Sequence, residues 1–262
     1  MIPPHERLIV ALDVSSSKEA WKIVSSLGES VQIYKVGMQL YTAEGPQIVR
    51  DLVASGRKIF LDLKYHDIPN TVAAAVREAA QLGVSLLTVH ASGGTKMLHA
   101  AVEAACAHVG ADALVRQPRT RASGATQTST LQVLAVTVLT SMNDQDLNET
   151  GVQRPVVDQV VSQAYLALEA GCAGVVSSAR EVKTLRAKLG SDFLVVTPGV
   201  RPAGSAHGDQ ARVATPAEAI AAGATHVVVG RPITAAANPA AEAAKILQEL
   251  GTRLSELETQ NV

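Results

Sequence analysis

The chain has 262 residues, of which 47% are hydrophobic and only 3% aromatic, and its formal net charge is -1. A near-neutral balance of this kind excludes a protein drawn to nucleic acid or to an anionic membrane by a global field, and no apolar run is long enough to span a bilayer. The aliphatic content is ample for strands covered by Ala-rich helices, and the length suits one large α/β domain.

The opening "MIPPHERLIV" has no basic segment leading into a long apolar one. It does not read as a signal peptide, and the expectation is a cytoplasmic protein. "RLIVALD" gives a first strand and "SKEAWKIVSSL" a first helix, with Ser before its first turn and Gly just after its last. The strands "VQIYKVG" and "KIFLDLK" come next, then the helix "PNTVAAAVREAAQLG" and the strand "SLLTVHA". Beyond them "LQVLAVTVL" and "AGVVSS" flank the helix "PVVDQVVSQAYLALEAG", and "FLVVTPG" and "THVVVGR" flank "TPAEAIAAG". Eight β-then-α units with near-continuous apolar strands predict parallel pairing under a layer of helices. Their number and the chain length predict a closed (β/α)8 TIM barrel, one α/β domain over residues 1–262. A doubly wound open sheet is the alternative, and the missing dinucleotide glycine fingerprint after the first strand disfavours it.

Residues 110–130, "GADALVRQPRTRASGATQTST", break this rhythm and predict a mobile surface loop carrying three arginines. Cys106 and Cys172 have neither metal-ligand nor redox spacing, so both are expected to be buried as small hydrophobes in a reducing compartment.

In such a barrel chemistry gathers at the C-terminal ends of the strands. Those ends supply Asp13, Lys35, Asp62 with Lys64, His90, Thr140, Ser177, Pro198-Gly199 and Gly230-Arg231. Taken singly each has a plain explanation: Asp13 as a cap for the helix near Ser17, Lys35 as a strand-end charge, His90 as a hydrogen-bonded structural histidine. Jointly, two Asp and two Lys on one mouth are costly to desolvate without a purpose. Asp62 and Lys64 hold alternate positions of a strand, so both are expected to point the same way. The last two units add a second signal. Arg201, Gln210 and Arg212 lie on a long Gly-containing loop after the seventh strand, and Gly230 and Arg231 end the eighth. Barrels of this type bind phosphate at those loops, and arginine forks suit its oxygens.

The stretch "LDLKYHDIPNT", with "ALDV", "YKVG", "VTVLTSM", "TPGVRPAGSAHGDQARVATP" and "VVVGRPI" around it, resembles the orotidine 5'-phosphate decarboxylase family in its bacterial branch over nearly the whole chain. The resemblance implies conversion of orotidine 5'-phosphate to uridine 5'-phosphate in pyrimidine biosynthesis, with no cofactor and no metal. It implies Lys64 as proton donor to C6 of the pyrimidine, in an alternating charged network with Lys35, Asp62 and Asp67 as the other catalytic residues. Substrate contacts are implied for Asp13 and Lys35 on the ribose, Asp62 at the scissile carboxylate and Thr140 on the ring. Arg201, Gln210, Gly230 and Arg231 would hold the phosphate. Asp67, Ile68 and Thr71 would serve the neighbouring subunit's site, so a homodimer with shared active sites is expected. Residues 110–130 exceed the family's length but lie away from these motifs. A related Mg²⁺-using sugar-phosphate decarboxylase or aldolase is disfavoured by "HDIPNT" and the long phosphate loop. A non-catalytic phosphometabolite-binding barrel is disfavoured by the presence of Asp62 and Lys64.

Overall fold

The computed structural model describes residues 2–115, 131–202 and 214–260. The eight apolar runs become β1 (Leu8–Ala11), β2 (Ile33–Gly37), β3 (Lys58–Tyr65), β4 (Leu86–His90), β5 (Gln132–Val136), β6 (Gly174–Val176), β7 (Leu194–Pro198) and β8 (His226–Val229). They close into a barrel in chain order, with β8 returning parallel to β1 so that Ile9 faces both Ile33 and Val228. This is the expected (β/α)8 barrel.

Strand periodicity divides the apolar residues into two cores. Ile9 and Ala11, Ile33, Phe60, Leu86, Leu134 and Val136, Val176, Val196 and Val228 fill the barrel interior. Residues of opposite parity, such as Leu8, Val10, Tyr34, Leu61, Leu87 and Val89, pack outward against the helices. The helix Pro69–Gln81 shows why that layer forms. Proline occupies its first turn, where no donor is lost, and Val72, Val76, Ala79 and Ala80 bury one stripe at helical spacing.

Several local expectations change in the folded chain. The first helix spans Ser17–Leu27 as read, but its cap is Ser16, whose hydroxyl accepts from Glu19 N; Asp13 is engaged elsewhere. Residues 110–115 of the expected loop belong to the helix Gly94–Val115, as the good helix formers in "ADALV" allow, and the remainder of the loop lies outside the described residues. Cys172 is buried, and burial pushes its thiol up to about 12. Cys106 is exposed, because Ala101, Ala104 and Ala105 take the inward face of its helix and the next position turns outward. Among the described residues no helix is long and apolar enough to cross a membrane.

At the N-terminal end of the barrel His226 is buried beneath Arg7, with its Nδ1 3.0 Å from the Thr225 hydroxyl. Burial, reinforced by Arg7, pushes the imidazole down to about 4. An unfolded histidine titrates near 6.5, so the unfolded state binds more protons between those values. Stability is therefore fully present above about pH 6.5 and falls as the pH drops toward 4, by up to roughly 3 kcal/mol from this residue. Urea unfolding at a series of pH values should show that slope, and His226→Gln should flatten it.

Candidate active site

The inward parity of β1 to β4 continues past the apolar layer into polar residues at the C-terminal mouth: Asp13 after Ala11, Lys35 after Ile33, Asp62 after Phe60 and Thr88 after Leu86. Their side chains form a connected chain of opposite charges. Lys35 Nζ lies 2.8 Å from Asp13 Oδ1 and 3.7 Å from Asp62 Oδ2. Lys64 Nζ lies 2.9 Å from both Asp62 oxygens. The Lys35 and Asp62 side chains are only 12% and 13% exposed, so neither charge is hydrated as it would be at an ordinary surface ion pair. Gly37 leaves room for this arrangement, since a Cβ there would sit 2.9 Å from Lys35 Nζ.

Asp62 and Lys64 do meet, but not by the simple alternation expected of a strand. Leu61 pairs with Leu87 and Tyr65 with Val89, so four residue steps on β3 face two on β4. The excess forms a bulge, and Lys64 alone among the described non-glycine residues takes a positive φ, of 53°. A left-handed lysine costs of order 1–2 kcal/mol, which the surrounding contacts must offset. Bulges re-aim side chains beside active sites, and this one brings the ammonium back over the carboxylate two residues earlier.

These groups open into a cavity of about 510 Å³ at the mouth, lined by Asp13, Lys35, Asp62, Lys64, Thr140, Arg201, Gly230 and Arg231 together with apolar side chains such as Val138 and Leu139. The residues to which the resemblance gives a role, with Arg212 beside them on the phosphate loop, thus divide into three groups. Eight share the cavity. Asp67, Ile68 and Thr71 are exposed beyond β3 and do not line it; the Asp67 carboxylate accepts from Ile68 N and makes no ion pair among the described residues. Gln210 and Arg212 lie outside the described residues. Within one chain the charges run Asp13–Lys35–Asp62–Lys64, while the resemblance draws Asp67 from a neighbouring subunit.

Two further residues bear on the site. Thr88 is wholly buried and bonds both partners of the lysine–aspartate pair; as one threonine within an apolar strand it carries no sequence signal of that role. His90 packs its ring on His66 with 5.4 Å between centroids. Burial first, then His66 and Lys64, holds its pKa below the usual histidine range, so near-neutral solutions leave the ring uncharged beside the lysine. A second cavity, of about 590 Å³, opens at the opposite end of the barrel among Ile33, Leu86, Val133 and Leu194. Its charged groups are Lys58 and Glu6, paired at 3.3 Å with both side chains well exposed, and the buried His226 also lines it; in barrels of this kind that face serves stability.

A barrel mouth that combines an ammonium–carboxylate relay with arginines after its last two strands defines a (β/α)8-barrel enzyme for an anionic small molecule. The chain belongs to the orotidine 5'-phosphate decarboxylase / HUMPS family, whose model matches residues 6–246. Orotidine 5'-phosphate decarboxylase of Geotalea daltonii is 48% identical over 244 residues, covering 93% of this chain and 95% of the relative. The Moorella thermoacetica protein of the same name is 47% identical over 253 residues, 95% of each chain. Among solved structures, the crystal structure of orotidine 5'-phosphate decarboxylase from Lactobacillus acidophilus superposes with a TM-score of 0.77 at 40% identity, covering 93% of this chain and 98% of that one.

Proposed function

We propose that the chain decarboxylates orotidine 5'-phosphate to uridine 5'-phosphate, with Lys64 delivering the proton to C6. The observation that carries this reading is the Lys64 ammonium held 2.9 Å from both Asp62 oxygens at the barrel mouth. Breaking the bond between C6 and the carboxylate leaves an electron pair in the ring plane, where it cannot delocalise into the π system. Carbon dioxide departs and the carbanion takes a proton. An ammonium fixed beside C6 stabilises the growing negative charge and then supplies that proton. Asp62 holds the ammonium in place, and Lys35 keeps Asp62 from being an uncompensated charge. Asp13 and Lys35 reach the ribose hydroxyls, and Thr140 faces the pyrimidine.

Arg201 and Arg231, with Gln210 and the Gly230 backbone, hold the phosphate. Its binding energy acts far from C6, yet it fixes the ring against Lys64 and so assists the chemical step. Arg231→Ala is expected to weaken binding of orotidine 5'-phosphate by roughly 10- to 150-fold, the equivalent of 1.5–3 kcal/mol for a charge-assisted phosphate contact. On the nucleoside lacking the phosphate the same substitution should have little effect; equal fractional losses on both would make Arg231 structural.

The working unit in this proposal is a homodimer with composite sites. What supports it is the rim: Met38, Ile68 and Leu139, three of the five large hydrophobic side chains exposed among the described residues, all follow C-terminal strand ends. Asp67, next to Ile68 in the chain, is exposed and makes no ion pair among the described residues. Large apolar side chains left exposed at one end of a barrel are the kind of surface a second subunit covers. Because the substrate is a nucleotide anion that does not cross bilayers unaided, the work is placed in the cytoplasm.

The test is direct. Purified protein is mixed with orotidine 5'-phosphate without added metal, and loss of the orotate absorbance is followed alongside release of carbon dioxide. Equal amounts of uridine 5'-phosphate and carbon dioxide support the proposal. No turnover, with Mg²⁺-dependent turnover of a sugar phosphate instead, transfers the chain to the other branch of the family.

A further inference from the structure

We propose that Thr88 is a positioning residue for the Lys64–Asp62 pair, holding the backbone of one and the carboxylate of the other through a single oxygen. The bulge creates the need. Two extra residues on β3 take the Lys64 amide out of the β3–β4 ladder, which resumes only at Tyr65 and Val89. That part-buried N–H would otherwise lack an acceptor in the sheet. Thr88 Oγ1 accepts it at 2.9 Å, and the same oxygen lies 2.9 Å from Asp62 Oδ1.

Chemistry fixes the direction of both bonds. An amide nitrogen only donates, so the hydroxyl uses a lone pair for Lys64. An ionised carboxylate only accepts, so the hydroxyl proton goes to Asp62. Asp62 in turn holds the Lys64 ammonium. The result is a closed ring of contacts from Lys64 N to Thr88 to Asp62 to Lys64 Nζ, spanning the residue that carries the left-handed backbone. Thr88 is 0% exposed, and its branched side chain has few rotamers open to it, so the hydroxyl is a fixed point. No other described contact ties the strained backbone of Lys64 to the group that aims its ammonium.

This inference rests on the proposed decarboxylation for its kinetic test but not for its structural one. Thr88→Val keeps the shape and removes the hydroxyl. Because a misplacement of about 1 Å costs on the order of 10²-fold in rate, kcat should fall roughly 10- to 100-fold. KM for orotidine 5'-phosphate and affinity for uridine 5'-phosphate should stay within about threefold, since the phosphate grip is untouched. Thr88→Ser, which retains the hydroxyl, should recover most of the lost kcat. If Thr88→Val does not fold, Thr88→Ala compared with Thr88→Ser makes the same distinction. The activity-independent readout is hydrogen exchange at the Lys64 amide, expected to speed up in the variants without a hydroxyl and not in Thr88→Ser. A wild-type protein inactive on orotidine 5'-phosphate defeats the proposed function, and the exchange measurement then decides on Thr88 alone. Unchanged kcat and exchange in the hydroxyl-free variant, or a serine variant as impaired as it is, overturns the positioning role.

Discussion

Lys64→Ala is expected to lower kcat for orotidine 5'-phosphate by at least about 10⁴-fold, combining loss of the proton donor with loss of the charge that stabilises the C6 carbanion. Uridine 5'-phosphate should bind almost as before, because its phosphate and ribose contacts lie with Arg201, Arg231, Asp13 and Lys35 in this reading. The fold should survive as well. Lys64 sits at the rim of the cavity rather than in the barrel core, and Asp62 keeps Lys35 at 3.7 Å and the Thr88 hydroxyl at 2.9 Å. Relief of the left-handed strain at residue 64 is not expected, since alanine meets the same steric penalty there. Single-turnover rates, ligand titration and thermal unfolding on one preparation separate these effects. A variant with near-normal kcat would remove Lys64 from the chemistry.

The second large effect is a gain rather than a loss. Asp67→Ala should inactivate the enzyme although Asp67 does not line the cavity of its own chain. A two-fold interface makes any shared contribution reciprocal. In a heterodimer of Lys64→Ala and Asp67→Ala subunits, one site carries both lesions and the other carries neither. With random exchange of equal amounts, half of the dimers are heterodimers with one intact site each, so about one quarter of wild-type activity should return. If exchange is verified and the mixture stays as inactive as its parents, both residues serve the same chain's site.

Much of the fold was legible because the physics behind it is local. The strands carry apolar residues at both parities, which only a sheet covered on both faces requires. The helix Ser17–Leu27 could be bounded to the residue because Ser16 caps it and Gly28 ends it with a positive φ. Asp13, Lys35, Asp62 and Arg231 were legible for a related reason: polar residues that end apolar strands must face the mouth.

What escaped was set by packing between segments. No Gly or Pro in 61–65 announces the bulge at Lys64, which depends on how β3 meets β4. Thr88 was hidden because threonine fits a strand without further reason. Cys106 is exposed because helical phase, not residue type, decides which face it takes. For Asp67 the sequence offers only a position, beyond the turn and just before Pro69 and the next helix, from which it can point away from its own barrel mouth; the group it would face is not written there.

The most direct test of the proposed chemistry is a crystal structure of the protein with uridine 5'-phosphate bound. The expected result places C6 roughly 3–3.5 Å from Lys64 Nζ, a distance fit for proton transfer. The phosphate should lie between Arg201 and Arg231, and Asp67 of a second subunit should stand beside Lys64. A pyrimidine seated away from Lys64, or a phosphate bound at another face of the barrel, would contradict it.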